Sequence, residues 1–229
     1  METTQTIVKT PKGRETRERI YQTALDLFLM QGYEETTLRD IAGAASCSLG
    51  LTYRYFASKE DLVLTLYERL AVEQASQVRA LDPSPLADRF EAAMRAKLEQ
   101  LEPYREPFSG MFGAALNPKS GVAVLGGRTG EVRSAVAQVF VSLVEGSKGA
   151  PSGPQAGQLA SVLYALHLAL ILFWLYDPTP GGRATQELIS LSGDILRLVR
   201  PVLKLPPVAR TLRRFAAAME PVFGAEQPG

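Results

Sequence analysis

The sequence predicts an all-α protein: an N-terminal three-helix domain built on a helix-turn-helix, joined to a larger helical region. Three observations carry this expectation. Residues 36–62, TTLRDIAGAASCSLGLTYRYFASKEDL, hold two short helical segments separated by a polar break. Elsewhere apolar residues recur three and four apart, the period of a helix face. Gly and Pro fall where these runs stop, as at Gly32 and at the Pro178, Pro180 and Gly181-Gly182 group.

The totals narrow the function. At 229 residues and 46% hydrophobic, the chain can bury the cores of one or two domains. A net charge of +1 means that any basic surface must be local. One Cys excludes an intrachain disulfide framework, and one Cys with one His leaves little for a zinc site or a Cys/His pair. No acid/base or nucleophile constellation is present either, so no catalytic residue, metal or cofactor is expected. The polar N-terminus has no apolar signal core, which fits a cytoplasmic protein.

Residues 1–13, with Lys9, Pro11 and Lys12, read as a flexible basic arm. Arg14 to Gln31 is a helix with Ile20, Ala24, Leu25, Leu27 and Phe28 on one face, stopped by Gly32. Arg14, Arg17 and Arg19 sit near its N-terminus, the unfavourable end for positive charge. They belong either to a solvated face or to something outside the chain. The second helix, Thr37 to Ala45, has Thr37 as N-cap with Asp40 three residues on, and buries Leu38, Ile41, Ala42 and Ala45. Ser48 caps a third helix, Leu49 to Phe56. Ser58 caps a fourth, Lys59 to Ala80, with Leu62, Leu66, Leu70 and Ala71 inside.

Asp82-Pro83-Ser84-Pro85 marks the joint to residues 81–229. Leu86 to Leu101 is helical, with Phe90, Met94, Leu98 and Leu101 inward. Pro103 and Pro107 bracket a bend before a short aromatic segment. Asn117 to Gly130 reads as a loop without phosphate-loop spacing. Glu131 to Glu145 is a helix, and Gly146 to Gly157 a linker. Gln158 to Tyr176 is apolar nearly all round, so it needs burial on several sides. A membrane span is the competing reading, but the segment is at the short limit, has no flanking Lys/Arg clusters and is interrupted by His167. Ala184 to Val199 follows, with Leu188, Leu191, Ile195, Leu198 and Val199 inward. A last helix opens at Pro206-Pro207.

Two short helices joined by three or four residues place the second in a major groove. Gly50 lets the backbone approach closely. Tyr53 and Tyr55 offer hydroxyls to phosphate. Lys59 adds its charge to a helix N-terminus, while Thr36 and Thr37 stand at the start of the second helix.

The Leu38-Arg39-Asp40-Ile41-Ala42 run, the string from Ser48 through Gly50, Tyr53, Tyr55, Phe56, Ser58 and Lys59 to Leu62, and Gly32-Tyr33 resemble the TetR family of bacterial transcriptional regulators. The resemblance covers Arg14 to about Leu66. Its DNA-binding domain then spans 14–60, with the fourth helix, 59–80, as connector. By family position Leu49, Gly50 and Leu51 face the groove, with Ser48 and Arg54 beside them, and Arg39 can reach a base. Leu51 suits a thymine methyl and Arg39 a guanine. The turn Ser46-Cys47-Ser48 departs from the family's usual Gly-Val-Ser, and Cys47 is expected to pack as a small apolar residue.

The resemblance further implies a helical regulatory and dimerisation domain over 81–229. It implies a homodimer through the helices at 158–176 and 184–199, a near-palindromic double-stranded DNA operator, and a small-molecule effector. The residues expected at a largely hydrophobic effector site are Phe90, Met94, Tyr104, Phe108, Met111, Phe112, Phe140, Tyr164, His167 and Trp174. The function expected is a repressor released from its operator by such an effector. The alternative is a structural DNA-binding protein with no small-molecule effector.

Overall fold

The computed structural model describes residues 10–115 and 130–223, without the side chains at 111, 113–115, 131 and 221–223. The described residues form ten α-helices with short 3-10 turns and no strand. They divide into two compact units, one of residues 10–66 with 103–115, the other of 67–102 with 130–223.

The first unit holds α1 (Pro11–Gln31), α2 (Leu38–Ala44), α3 (Leu49–Tyr55), the start of α4 (Lys59–Ala80) and α6 (Arg105–Ala115). Helix α1 begins at Pro11, not Arg14, so residues 11–13 are helical rather than part of an arm. The reason is local: Thr10 Oγ1 accepts the Gly13 N–H at 3.0 Å, and Pro at the first position has its φ already set. Residues 1–9 lie outside the described residues. The core is the expected one: Ile20, Ala24 and Phe28 of α1, Leu38, Ile41 and Ala42 of α2, then Phe56, Leu62 and Leu66, all buried. Each of the Ile, Leu and Phe side chains contributes about 1.5–3 kcal/mol by leaving water.

The segment after Pro103 differs from expectation. A 3-10 turn, Glu102–Tyr104, runs directly into α6, and Pro107 sits in its first turn, where its missing N–H costs nothing. Helix α6 belongs to the first unit, although the sequence assigned it to the C-terminal region. The Glu106 carboxylate accepts the Tyr33 N–H at 2.8 and 3.0 Å. A Cβ on Gly110 would lie 2.5 Å from the Tyr33 ring, so α6 can pass this close only with glycine there.

The second unit holds the rest of α4, then α5 (Leu86–Leu101), α7 (Gly130–Glu145), α8 (Pro154–Tyr176), α9 (Arg183–Val199) and α10 (Pro206–Phe223). The expected loop at 117–130 falls on residues outside those described, except Gly130. Helix α8 starts at Pro154 rather than Gln158, again with proline at the first position, and this shortens the linker to 146–153. By length and composition α8 could cross a membrane, but half of its most apolar window is buried. It packs on α7, α9 and α10, which meets the need for burial on several sides.

Helix α9 corrects the sequence reading. Its buried face is Thr185, Ile189, Ser192, Gly193 and Leu196. Leu191, Ile195 and Leu198, expected inward, are 52%, 51% and 76% exposed, and Leu188 and Val199 are half-buried. Small residues explain the inversion, because α9 presses its Ser192-Gly193 side against α5. A Cβ on Gly193 would meet the Glu91 carboxylate at 1.9 Å. Around this seam Arg197 bonds Glu91, Asp88 and Asp194 at 2.7, 2.8 and 2.9 Å, and Arg95 bonds Gln186 and Ser190.

Two polar groups close helix ends inside this unit. The buried Arg89 guanidinium donates to the carbonyls of Val78, Leu81 and Asp82 at the end of α4, and to that of Leu143 in α7. Positive charge at a helix C-terminus also complements the dipole. Gly146 lies against this guanidinium, where a Cβ would come within 2.6 Å of it. Ahead of α9, the Asp177 carboxylate accepts the N–H and hydroxyl of both Thr179 and Thr185 at 2.6–2.9 Å. These hydrogen bonds hold its pKa well below the usual carboxylate range. The chain reverses through Gly181 and Gly182, both at φ +65°, a region open mainly to glycine.

Arg89→Met is expected to cost about 2–4 kcal/mol in denaturant unfolding, because it strands buried carbonyls. Asp177 stabilises the fold when ionised. Its contribution is therefore present above the unfolded pKa of about 4 and is lost as pH falls through and below that value. Thermal unfolding between pH 5 and pH 2.5 should show a smaller acid-dependent loss in Asp177→Asn than in the parent.

Candidate nucleic-acid interface

The helix-turn-helix is built from α2, α3 and the turn between them. Thr37 caps α2 as a full capping box: its Oγ1 accepts the Asp40 N–H at 3.2 Å, and Asp40 Oδ2 accepts the Thr37 N–H at 2.9 Å. The Thr37 hydroxyl donates to the same oxygen at 2.6 Å, and these bonds lower the Asp40 pKa. Ser48 caps α3, accepting the Leu51 N–H at 3.2 Å. Ser58 does the same for α4 through the Asp61 N–H.

The turn itself is a Schellman motif. The Cys47 N–H bonds the Ala42 carbonyl at 2.9 Å and the Ser46 N–H bonds that of Gly43 at 3.1 Å. This geometry puts Ser46 at φ +51°, the non-glycine residue with positive φ among the described residues. The departure from glycine at this position is therefore a strained serine. Cys47 is half-buried rather than buried; its Sγ meets Arg19 Nη2 at 3.5 Å and the Ala45 carbonyl at 3.4 Å.

Arg17 and Arg19 make contacts within the fold. Arg19 Nε donates to the Ala45 carbonyl at 3.0 Å, at the end of α2. Arg17 lies 4.8 Å from the centre of the Phe56 ring and bonds Thr65 Oγ1 at 3.4 Å. These contacts tie the motif to α1 and α4. Lys59 behaves similarly. Its ammonium donates to the Tyr33 carbonyl at 2.6 Å and the Glu34 carbonyl at 3.3 Å, and sits 4.3 Å from the Tyr33 ring centre. A phosphate reaching Lys59 meets a cation already engaged in the fold.

The expected contact residues separate by exposure. Arg39, Ser48, Gly50, Tyr53 and Arg54 are exposed, and Leu49, Leu51 and Tyr55 are half-buried. Together they form the outward side of α3 with Arg39 from α2. A Cβ on Gly50 would touch nothing within 4 Å, so no internal packing demands glycine there. Thr37 is exposed, but its hydroxyl is engaged by Asp40. Thr36 is a correction. It is fully buried, donates to the Gly32 carbonyl at 2.7 Å and accepts from Gln31, so its side chain cannot reach a phosphate. Proximity to a helix start in sequence did not reveal that the hydroxyl points back into the α1–α2 loop.

The residues expected at an effector site fall into both units. Tyr104, Phe108 and Phe112 belong to the first, and the Met111 side chain lies outside the described residues. Phe90, Met94, Phe140, Tyr164, His167 and Trp174 belong to the second and are buried. There Phe140, Tyr164 and His167 form a ring cluster with centroids 5.0–6.1 Å apart. The Tyr67 hydroxyl meets His167 Nε2 at 3.2 Å, and Trp174 Nε1 donates to Glu102 at 3.0 Å. An open cleft of about 560 Å³ between α7, α8 and α10 touches Tyr164 alone of these residues. The sequence reading missed Lys97, fully buried on the apolar face of α5; its place between Met94 and Leu98 was the available signal.

Residues 20–66 match the family described as bacterial regulatory proteins, tetR family. The HTH-type transcriptional regulator TcmR of Streptomyces glaucescens is 40% identical over 89 residues, 38% of this chain and 39% of its own length. The chain thus matches well under half of that relative. The fold is similar to that of Thermus thermophilus FadR, a TetR family transcriptional repressor solved with lauroyl-CoA. Its TM-score is 0.62 at 24% identity, over 79% of this chain and 92% of that one. A tetR-family regulator from Streptomyces coelicolor gives a TM-score of 0.58 at 22% identity, over 90% of this chain and 89% of that one.

Ser46→Gly is expected to stabilise the protein by about 0.5–1 kcal/mol in chemical denaturation, since glycine avoids most of the left-handed penalty but loses more entropy on folding. Lys59→Ala should lower stability by about 1–2 kcal/mol through loss of charge-assisted bonds. If instead Lys59 acts on phosphate alone, stability is unchanged and only DNA affinity falls.

Proposed function

We propose that this chain, which belongs to the TetR family of bacterial regulatory proteins through residues 20–66, is a cytoplasmic homodimeric transcriptional repressor. It binds a near-palindromic DNA operator and is released by a small, largely hydrophobic effector. The observation that carries the reading is the outward side of α3. Gly50 has open space around it, Tyr53 is 52% exposed, and Arg54 and Arg39 stand free of the core. The inward side of the motif meanwhile is closed by three caps and Arg19. A helix held from behind and bare in front suits insertion into a major groove. Arg39 reads a base, Leu51 contacts a thymine methyl, and Tyr53, Tyr55 and Arg54 meet phosphates.

Dimerisation is supported by α9. Leu191, Ile195 and Leu198 follow at helical spacing on its exposed side, and α8 adds Phe173 and Tyr176, 42% and 66% exposed. Exposed large apolar side chains grouped along a helix face in this way suit an interaction site. Paired subunits would present their α3 helices to successive turns of DNA, about 34–36 Å apart. The effector would occupy the second unit, whose buried aromatic cluster carries few polar groups. Release requires that it bind the DNA-incompetent state more tightly, since equal affinity for both states shifts nothing.

Selection of bound fragments from random DNA should return an inverted repeat. Recovery of no preferred sequence by the intact protein would reject the regulator reading in favour of a structural DNA binder. Arg39→Ala should relax preference at one base pair per half-site, by about 1–3 kcal/mol. Ile195→Asp with Leu198→Asp should yield monomers by sedimentation and abolish tight operator binding; dimers that persist would put the interface elsewhere.

A further inference from the structure

Among its described residues the second unit holds a buried cation with no carboxylate in contact with it. Lys97 is fully buried, on the same face of α5 as Phe90, Met94, Leu98 and Leu101. Packing alone would place an aliphatic residue there, because lysine is almost never fully buried unless paired. Among the described residues its Nζ has no hydrogen-bond acceptor. It lies 4.5 Å from the centre of the Tyr67 ring, and the Tyr67 hydroxyl in turn meets His167, itself fully buried. Gln74 Oε1 on α4 and Gln100 Oε1 on α5 are also buried without a partner among the described residues.

The chemistry of this group is one-sided. Lys97 lies over Tyr67, whose hydroxyl meets the neutral imidazole of His167; the Phe140 and Tyr164 rings pack on His167, and the buried Arg133 acts on Tyr164 through its charge. Among the described residues the buried carboxylate is Asp177, which is already committed to Thr179 and Thr185. Glu73 acts on Lys97 only through its charge, from an exposed position on α4. Burial pushes the Lys97 pKa down to about 7 and, with the Lys97 charge adding to it, that of His167 to about 3. Among the described residues, then, no carboxylate meets this ammonium at contact distance, and Glu73 reaches it only through its charge.

Resting on the effector reading above, we propose that Lys97 anchors the effector, and that the effector is an apolar molecule ending in a carboxylate. One ammonium matches one negative charge. A phosphate monoester, with nearly two, would leave part of its charge buried and unpaired. Tyr67 and His167 flank the bound headgroup, and the Phe140–Tyr164 cluster takes the apolar body. The step is binding only, and no bond is made or broken.

The test uses the intact protein, with octanoate, dodecanoate, benzoate and 2-naphthoate, each paired with its uncharged primary amide. Calorimetry should find at least one carboxylate that binds about tenfold or more tighter than its amide, the worth of one buried charge pair. In Lys97→Met that preference should vanish, with amide affinity unchanged. The unliganded variant should melt no lower than the parent, because it loses a buried unpaired charge. Lys97→Gln provides the same comparison with a polar side chain. The proposal is overturned by equal binding of acids and amides, by no binding of any acid, or by a Lys97→Met protein that binds acids like the parent. It is also overturned if both variants melt well below the parent, since Lys97 is then a structural residue. Operator binding measured on the same samples separates the two readings. A parent that binds operator and is released only by neutral compounds keeps the regulator and loses the anionic anchor, whereas a parent that binds no operator loses the regulator.

Discussion

The ammonium of Lys59, set between the carbonyls of Tyr33 and Glu34 and against the Tyr33 ring, ties the start of α4 to the loop that follows α1. Around it the rest of the first unit is arranged. Tyr33 packs on Phe28 at 5.1 Å, and its N–H is held by Glu106 of α6. Helices α2 and α3 have seven residues each. Helices this short are marginal in isolation and cannot fix their own mutual angle. They depend on what closes around them, namely the Schellman turn, the Arg19 bond to Ala45 and the Phe56 plug beneath Arg17. Arg17, Arg19 and Lys59 therefore serve the fold, and the exposed polar groups of the motif are those on α3 and Arg39.

The second unit follows another rule. Its most apolar helix, α8, must be covered on several sides, and α7, α9 and α10 supply that cover. Helix α9 can do so while offering its own leucines outward, because small residues make its inward contact. Polar groups inside this unit are spent on closure where partners exist, as with Arg89 at the end of α4 and Asp177 before α9. Lys97 departs from that economy. Among the described residues its ammonium has no hydrogen-bond acceptor and lies over the Tyr67 ring, and burying a charge in this way opposes folding.

Much of this was legible in the residues. The capping box at Thr37 and Asp40, the caps at Ser48 and Ser58, and the bounds of α4 and α5 follow from short-range chemistry, and the structure repeats them. The buried stripe of α2 likewise follows from spacing of three and four. The misses share a cause. Thr36, Arg17, Arg19 and the outward stripe of α9 were assigned by residue type, yet each was set by a partner distant in sequence or by the size of a facing residue. An arginine at a helix N-terminus reads as solvent-facing until another helix end offers it a carbonyl. A leucine stripe reads as inward until a glycine on the opposite side is pressed against a neighbouring helix.

By itself, then, the sequence determined the helical class, the order of most elements and the presence of a helix-turn-helix. These rest on periodicity, caps and glycine stops, which act within a few residues of one another. Tertiary structure alone decided which hydroxyls and cations are already engaged, that α6 belongs with the first unit, which face of α9 stays bare, and that Lys97 is enclosed. Those outcomes depend on close approach between helices far apart in the chain, where a missing Cβ or one available carbonyl redirects a side chain, and no local pattern encodes that approach.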